Sequence, residues 1–492
     1  MNPYKILLVI LAYFSVLLLI SIITSRKADS RSFFIGNRQS EWYLVAIGMI
    51  GASLSGITFI SVPGWVITSK FYYMQMVLGY LLGYAAIVYI LLPLYYRLNL
   101  TSIYTYLNDR FGRISYKTGA VFFLISRIIG ASFRLYIVAS VLQVSVFDKL
   151  QVPFVLTICL TLAFIYVYTF RGGIKTIVWT DTLQTLFMLA AVTGTIIFIA
   201  RSLDFNFSAM VSAISSDEHS AIFNFTEWKK ANFFVKQFLS GAFITIVMTG
   251  LDQDMMQKNL SCRSLEDAQK NMRWYSLMLV PVNLLFLSLG ILLIIYASVN
   301  AVPIPEKSDD LYPVLATGGY LPIWVGLIFI LGLIAAAYSS ADSALTALTT
   351  SVTIDIFEAT DLPEKKIKKL RWKVHITMSL ILGLVIFIFR LVSNEAVISS
   401  LFKAAGYTYG PLLGLFAFGL FTRWSIKDKW VPLVAILAPL FSYLIKIFLE
   451  TNINTYKAGY EILVVNGFIT FIGLLILINE KKLSKTDGLK KG

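Results

Sequence analysis

Charge is what this chain has least of. Only 14% of its 492 residues are Asp, Glu, Lys or Arg, where a soluble protein carries about 25%. Hydrophobic residues make up 57%, and the mean hydropathy is +0.75. A water-soluble fold is excluded, and a polytopic α-helical membrane protein is expected. Cysteine is nearly absent. Cys159 falls in an apolar segment and Cys262 in a basic one, so the two have no reason to meet and no disulfide is expected. The two histidines, His219 and His375, are far apart, which excludes a histidine-based metal site. The first apolar run, Tyr4 to Thr24, lacks a basic leader and a small-residue cleavage site, so it reads as a retained helix.

The net charge is +15, which by itself suggests an anionic partner. Its distribution says otherwise. With the N-terminus placed outside, roughly 28 of the 42 basic residues fall in alternate loops on the inner face, against about 11 on the outer face. The charge is therefore a topology signal, and nucleic-acid binding is not expected. About thirteen apolar segments are long enough to span at roughly 20 residues per crossing. Two outer loops are long, 202–232 and 299–319, and read equally as lids or as inert surface.

Two segments look interrupted. GMIGASLSGITFISVPG, residues 48–64, carries four glycines, a proline and several hydroxyls, and LSGAFITIVMTGLDQ, residues 239–253, carries Gly241 and Gly250. They are the second and seventh spans. With the first span set aside, each opens a set of five helices. That is the pattern of an inverted-repeat transporter, whose unwound helices offer backbone carbonyls at mid-membrane. Glycine also serves plain helix packing, so the matched placement carries the argument.

The polar centre is AAAYSSADSALTALTTSVTIDIF, residues 335–357. Ser339, Asp342, Ser343 and Thr346 are three or four apart and share one helix face. Hydrocarbon offers no hydrogen bonds, so such a face must meet protein, water or an ion. A small hard cation takes about five or six oxygens. The hydroxyls of Ser339 and Ser340, the carbonyl of Ala336, and carbonyls of Gly51 and Leu54 on the interrupted second span would supply them. Asp181 is a second intramembrane acid. With Asp342 it could form another cation site, a proton site or salt bridges, or it could cap a helix or pair with a loop lysine. Arg127 and Arg134 share a face two turns apart. Arg127 reads as a structural ion-pair partner; Arg134 could hold a solute carboxylate or neutralise Asp181 or Asp342. Lys403 is expected to snorkel outward.

Taken together, FFIGNR, GASLSGITFISVPG, RGGIKTIVWTDTLQT, TGLDQDMMQKNLSCRSLEDA, AAAYSSADSALTALTTSVTIDIF and GYTYGPLLGLFAFGLF stand in the order seen in one family. From the first span to about residue 425, the chain resembles the sodium/solute symporters, the group of bacterial proline, galactose and sialic-acid symporters and animal sodium/glucose carriers. The resemblance implies an all-α LeuT-like 5+5 inverted repeat with about 13 transmembrane helices, N-terminus outside and C-terminus inside. The parts would be an extra helix and loop (1–42), a first repeat (43–201), an outer loop (202–232), a second repeat (233–421), and two further helices with a basic tail (422–492).

It also implies Na+ as coupling ion, one or two per cycle. The principal sodium site falls on Gly51, Leu54, Ala336, Ser339 and Ser340, the positions reached above from the residues alone. The second site of some members falls on Asp181, Ser339, Asp342 and Ser343. Here the chain departs from the pattern, since the family usually has a small or hydroxyl residue where this chain has Asp342. By resemblance to the sialic-acid-like members, Ser53, Ser55, Thr58, Gln75 and Arg134 would meet the solute. The expected protein is a sodium-coupled importer of a small polar solute, tilted towards an acidic sugar such as sialic acid. A neutral sugar or polyol, a monocarboxylate, or an amino acid such as proline are the alternatives. A bacterial cytoplasmic membrane and a monomer are expected. An enzyme is not expected, because Asp181 and Asp342 alone make no acid–base set, and a channel suits broken helices less well.

Overall fold

A computed structural model describes residues 3–26, 29–170, 173–392 and 397–482. Lys27, Arg171 and the basic tail from residue 483, all counted in the charge argument, lie outside the described residues. The long helices run, in chain order, α1 (Pro3–Thr24), α2 (Trp42–Ser69), α3 (Tyr73–Ala86), α4 (Arg113–Leu142), α5 (Phe154–Thr169), α6 (Ile174–Ser202), α7 (Phe234–Thr245), α8 (Gln253–Leu260), α9 (Leu265–Val299), α10 (Ile323–Ser351), α11 (Glu364–Val392), α12 (Val397–Thr408), α13 (Gly410–Phe421), α14 (Val431–Asn452) and α15 (Ile462–Ile476). A short antiparallel pair, Trp424–Ile426 with Ile478–Lys482, ties the start of α14 to the end of α15. Among the described residues, 8 helical stretches are long and apolar enough to cross a membrane, or up to 10 when two bent pairs are counted as spans. Cys159 and Cys262 are both free, as expected.

Both interrupted segments are broken helices. In α2 the break is at Ser55, whose φ of 32° and ψ of 172° cannot continue a right-handed helix. In the second, a π-helical turn (Ile246–Gly250) follows α7, and the chain bends by 64° into α8. A carbonyl freed inside a bilayer must find another donor. At the second break tyrosines supply it: Tyr95 Oη donates to Gly250 O and Tyr104 Oη to Leu251 O, each at 2.9 Å.

The centre of the molecule is α10. It packs on α2, α4, α6 and α11, and every residue from Gly332 to Ser351 is buried. None of this helix's polar stretch meets lipid, which is why a carboxylate and so many hydroxyls are tolerated there. Two small residues bring α2 against α6. A β-carbon on Gly48 would meet Asp181, and one on Gly51 would strike the Thr185 hydroxyl. That hydroxyl lies 2.9 Å from Ile47 O and 2.7 Å from Asp181 O, binding the two helices at the level of the acid.

The long loop 202–232 is anchored. Gln75 Nε2 donates to Asn232 O at 3.0 Å and to Tyr72 O at 3.2 Å, and its Oε1 accepts from Asn224 N at 3.0 Å. Gly51→Val should push α2 off α6 and lower the melting temperature in detergent, at a cost of about 1–3 kcal/mol. An unchanged melting temperature would mean that the close approach is not needed.

Candidate cation and solute site

The first site forms where the break in α2 meets α10. Ser55 interrupts the helical bonds across it, so the preceding turn, Gly51 to Leu54, has carbonyls to spare. One of them, Ala52 O, accepts from Ser340 Oγ at 3.0 Å, and the same hydroxyl lies 3.4 Å from Ala336 O. Neutral carbonyls and a hydroxyl from two helices thus converge, the donor set that suits a sodium ion. Of the five residues expected here, Ala336 and Ser340 take part in these contacts, and Gly51 and Leu54 lie on the same turn of α2 as Ala52. Ser339 does not point to it. Its hydroxyl turns sideways and donates to Asp181 Oδ1 at 2.7 Å. Adjacent residues on a helix point about 100° apart, so one serine faces α2 and the other α6.

The second group is assembled as expected and already holds a cation. Asp181 on α6 faces Ser339, Asp342 and Ser343 on α10, all of them essentially inaccessible to solvent. Ser343 Oγ lies 3.4 Å from Asp181 Oδ2 and 3.3 Å from Asp342 Oδ1. Asp342 also accepts from Tyr168 Oη at 2.8 Å and from the Ser343 N–H at 2.6 Å. The cation is Lys258 of α8, whose Nζ stands 2.6 Å from Asp181 Oδ2; both side chains are buried. In the charge pattern Lys258 reads as one more inner-loop lysine. The bend before α8 turns it inward instead. Of the alternatives open for Asp181, pairing with a lysine is the one present, though the lysine belongs to a buried helix. Sequence reasoning also missed Gln184 and Tyr13. Both are buried beside Asp342 and Tyr168, with the Gln184 amide facing the Tyr13 and Tyr168 hydroxyls.

A cavity of about 90 Å³ opens beside the α2 break. Ser53, Ser55, Thr58 and Arg134, four of the residues expected to meet the solute, line it together with Tyr84 and Asn283. Ser53 Oγ bonds the Tyr275 hydroxyl, which in turn is 2.8 Å from that of Tyr84. Gln75 is not among the lining residues. This corrects the expectation for it: both ends of its amide are spent on the loop 202–232 and on Tyr72. Lys403 is exposed, as expected.

The two arginines of α4 divide their roles. Arg127 is paired with Asp254, with Asp252 at 3.7 Å, and all three are buried. Tyr409 Oη donates to Asp252 at 2.5 Å. This network pins the second break to α4 and α13, the structural role expected for Arg127. Arg134, also buried, has no carboxylate within 4.0 Å among the described residues, and its Nε has no hydrogen-bond partner. It neutralises neither Asp181 nor Asp342.

The family model for the "Sodium:solute symporter family" matches residues 33–425. The sodium/sialic acid symporter NanT of Aliivibrio fischeri is 26% identical over 84% of this chain and 82% of its own length. The sodium/sialic acid symporter SiaT of Proteus mirabilis is 26% identical over 84% of each chain. A solved sodium-coupled sialic acid symporter, in a substrate-bound outward-open state, superposes with a TM-score of 0.80 at 20% identity, over 97% of this chain and 99% of that one. This likeness gives the chain the fold of a sodium-coupled transporter.

Ser340→Ala removes the hydroxyl that joins α10 to the α2 break. The sodium concentration that half-stabilises the protein against heating should rise at least tenfold, with the melting temperature in potassium changed by only a few degrees. A wild-type sodium response would remove Ser340 from the site.

Proposed function

The chain is a member of the sodium:solute symporter family, and we propose that it imports an acidic sugar of the sialic acid class, driven by sodium. The observation that carries the solute class is Arg134: a buried guanidinium without an ion-pair partner among the described residues, in a cavity that also presents the hydroxyls of Ser53, Ser55 and Thr58. A fork of N–H donors suits a carboxylate, and hydroxyls suit the ring and glycerol oxygens of a sugar. The sialic acid specificity of the two bacterial relatives agrees with this reading.

Coupling follows from shared residues. Ala52, Ser53, Leu54 and Ser55 line the solute cavity, and Ala52 and Leu54 also belong to the turn that meets Ser340. Sodium held by that turn orders the same backbone that the solute must contact. The ion therefore lowers the ordering cost of binding solute, and the solute does the same for the ion. In this reading 43–201 and 233–421 are the two inverted repeats of a thirteen-span monomer, with the N-terminus outside, in a bacterial cytoplasmic membrane. Phe154–Thr169 and Ile462–Ile476, at 16 and 15 residues, are its shortest spans.

One observation favours a second reading. The cavity, about 90 Å³, is small beside the 300–1,000 Å³ usual for ligand pockets. A sialic acid requires it to widen, whereas a short monocarboxylate does not. Calorimetry in sodium buffer with N-acetylneuraminate, a short monocarboxylate and a neutral hexose separates these. N-Acetylneuraminate should bind, the hexose should not, and Arg134→Gln should weaken binding at least a hundredfold. Binding of the monocarboxylate alone would move the assignment to the second reading. Equal binding by the Arg134→Gln variant would remove the carboxylate from the account.

A further inference from the structure

We infer that Lys258 is a tethered cation that stands in place of a second sodium ion, so that this symporter binds one sodium per solute. The inference rests on the symporter reading above and concerns its stoichiometry. The residues to which a second sodium would be assigned, Asp181, Ser339, Asp342 and Ser343, do come together. Their strongest ligand atom is already taken: Lys258 Nζ is 2.6 Å from Asp181 Oδ2. Ser339 Oγ is committed to the other oxygen of Asp181 at 2.7 Å. Ser343 Oγ lies 2.9 Å from Ser339 O, which draws its proton into the helix. Asp342 accepts from the Tyr168 hydroxyl and from the Ser343 N–H, so the donor set is spent on an ammonium, on Tyr168 and on its own helix, and sodium does not fit.

The ammonium has little freedom to step aside. Lys258 is 1% exposed, and its neighbours on α8 are fastened on several sides. Gln257 Nε2 donates to Phe34 O at 2.5 Å and to Thr350 Oγ1 at 3.0 Å. Asn259 Oδ1 accepts from Asn271 at 2.7 Å, and Ser261 Oγ donates to Lys258 O at 2.7 Å. Withdrawing the lysine would strip Asp181 of its partner in a place without water, where an unpaired charge is costly. If it stayed, a sodium about 4 Å away would be bound roughly a thousandfold more weakly, for an effective dielectric constant near 20. The first site is separate. It is built on neutral oxygens of α2 and α10, about 100° around α10 from the direction of Ser339.

The test counts ions. Binding of radioactive sodium to purified protein of known concentration should saturate at one ion per chain, with a Hill coefficient near 1, in wild type and in Lys258→Arg. Lys258→Met should saturate at two, with the Hill coefficient rising towards 2. Asp342→Asn provides a second check. Because Asp342 holds no sodium in this account, that variant should keep one ion with an affinity within about threefold of wild type. Two ions per wild-type chain, one ion per Lys258→Met chain, or a tenfold loss of affinity in Asp342→Asn would each overturn the inference and leave the symporter standing. No sodium binding by wild type would instead bring down the function on which it rests.

Discussion

A helix that stops in the middle of a bilayer must find partners for the carbonyls it frees, and this requirement organises the molecule. The break at Ser55 leaves a turn of α2 without helical donors. The neighbour that answers it is α10, through Ser340 to Ala52 O. A hydroxyl shared between two carbonyls is a site in which an ion can replace a hydrogen bond, because the oxygens are gathered already. The second break is treated differently. Its freed carbonyls are closed by Tyr95 and Tyr104, and its acids by Arg127 and Tyr409. One break is left open for chemistry and the other is sealed as structure.

Charge is divided in the same way. Buried ions are tolerated when paired, and Arg127 with Asp254 and Lys258 with Asp181 meet that rule. Arg134 lies two turns along the same face of α4 from Arg127 and lacks an anion among the described residues. On the proposed reading, an incoming carboxylate would complete the pairing that the described residues leave open, and the solute would be recognised by filling a deficit, with specificity against neutral sugars at little structural cost.

Much of this is legible in the sequence, for identifiable reasons. Glycine and proline inside apolar runs mark broken helices, and a carboxylate in such a run marks a polar interior, so the two breaks and the Asp181–Asp342 group can be found without coordinates. Three features cannot. Lys258 stands in a polar stretch beside a lysine-rich face, and counting loop charges assigns it there; only the 64° bend before α8 turns it inward. Gln75 is as polar as any residue expected to meet the solute, yet which partner takes its amide depends on where a distant loop returns, and Asn224 and Asn232 come back to it. Ser339 and Ser340 are identical in composition, and only the rotation of α10 decides that one faces α2 and the other α6.

The central claim is that ion and solute share the broken turn of α2. It is tested most directly by measuring the linkage from both sides on one preparation. The affinity for N-acetylneuraminate is taken at saturating sodium and in potassium of equal ionic strength, and the affinity for sodium is taken with and without the sugar. The account predicts that sodium tightens the sugar by at least tenfold, and that the sugar tightens sodium by the same factor. Sugar binding of equal strength in both salts would contradict it.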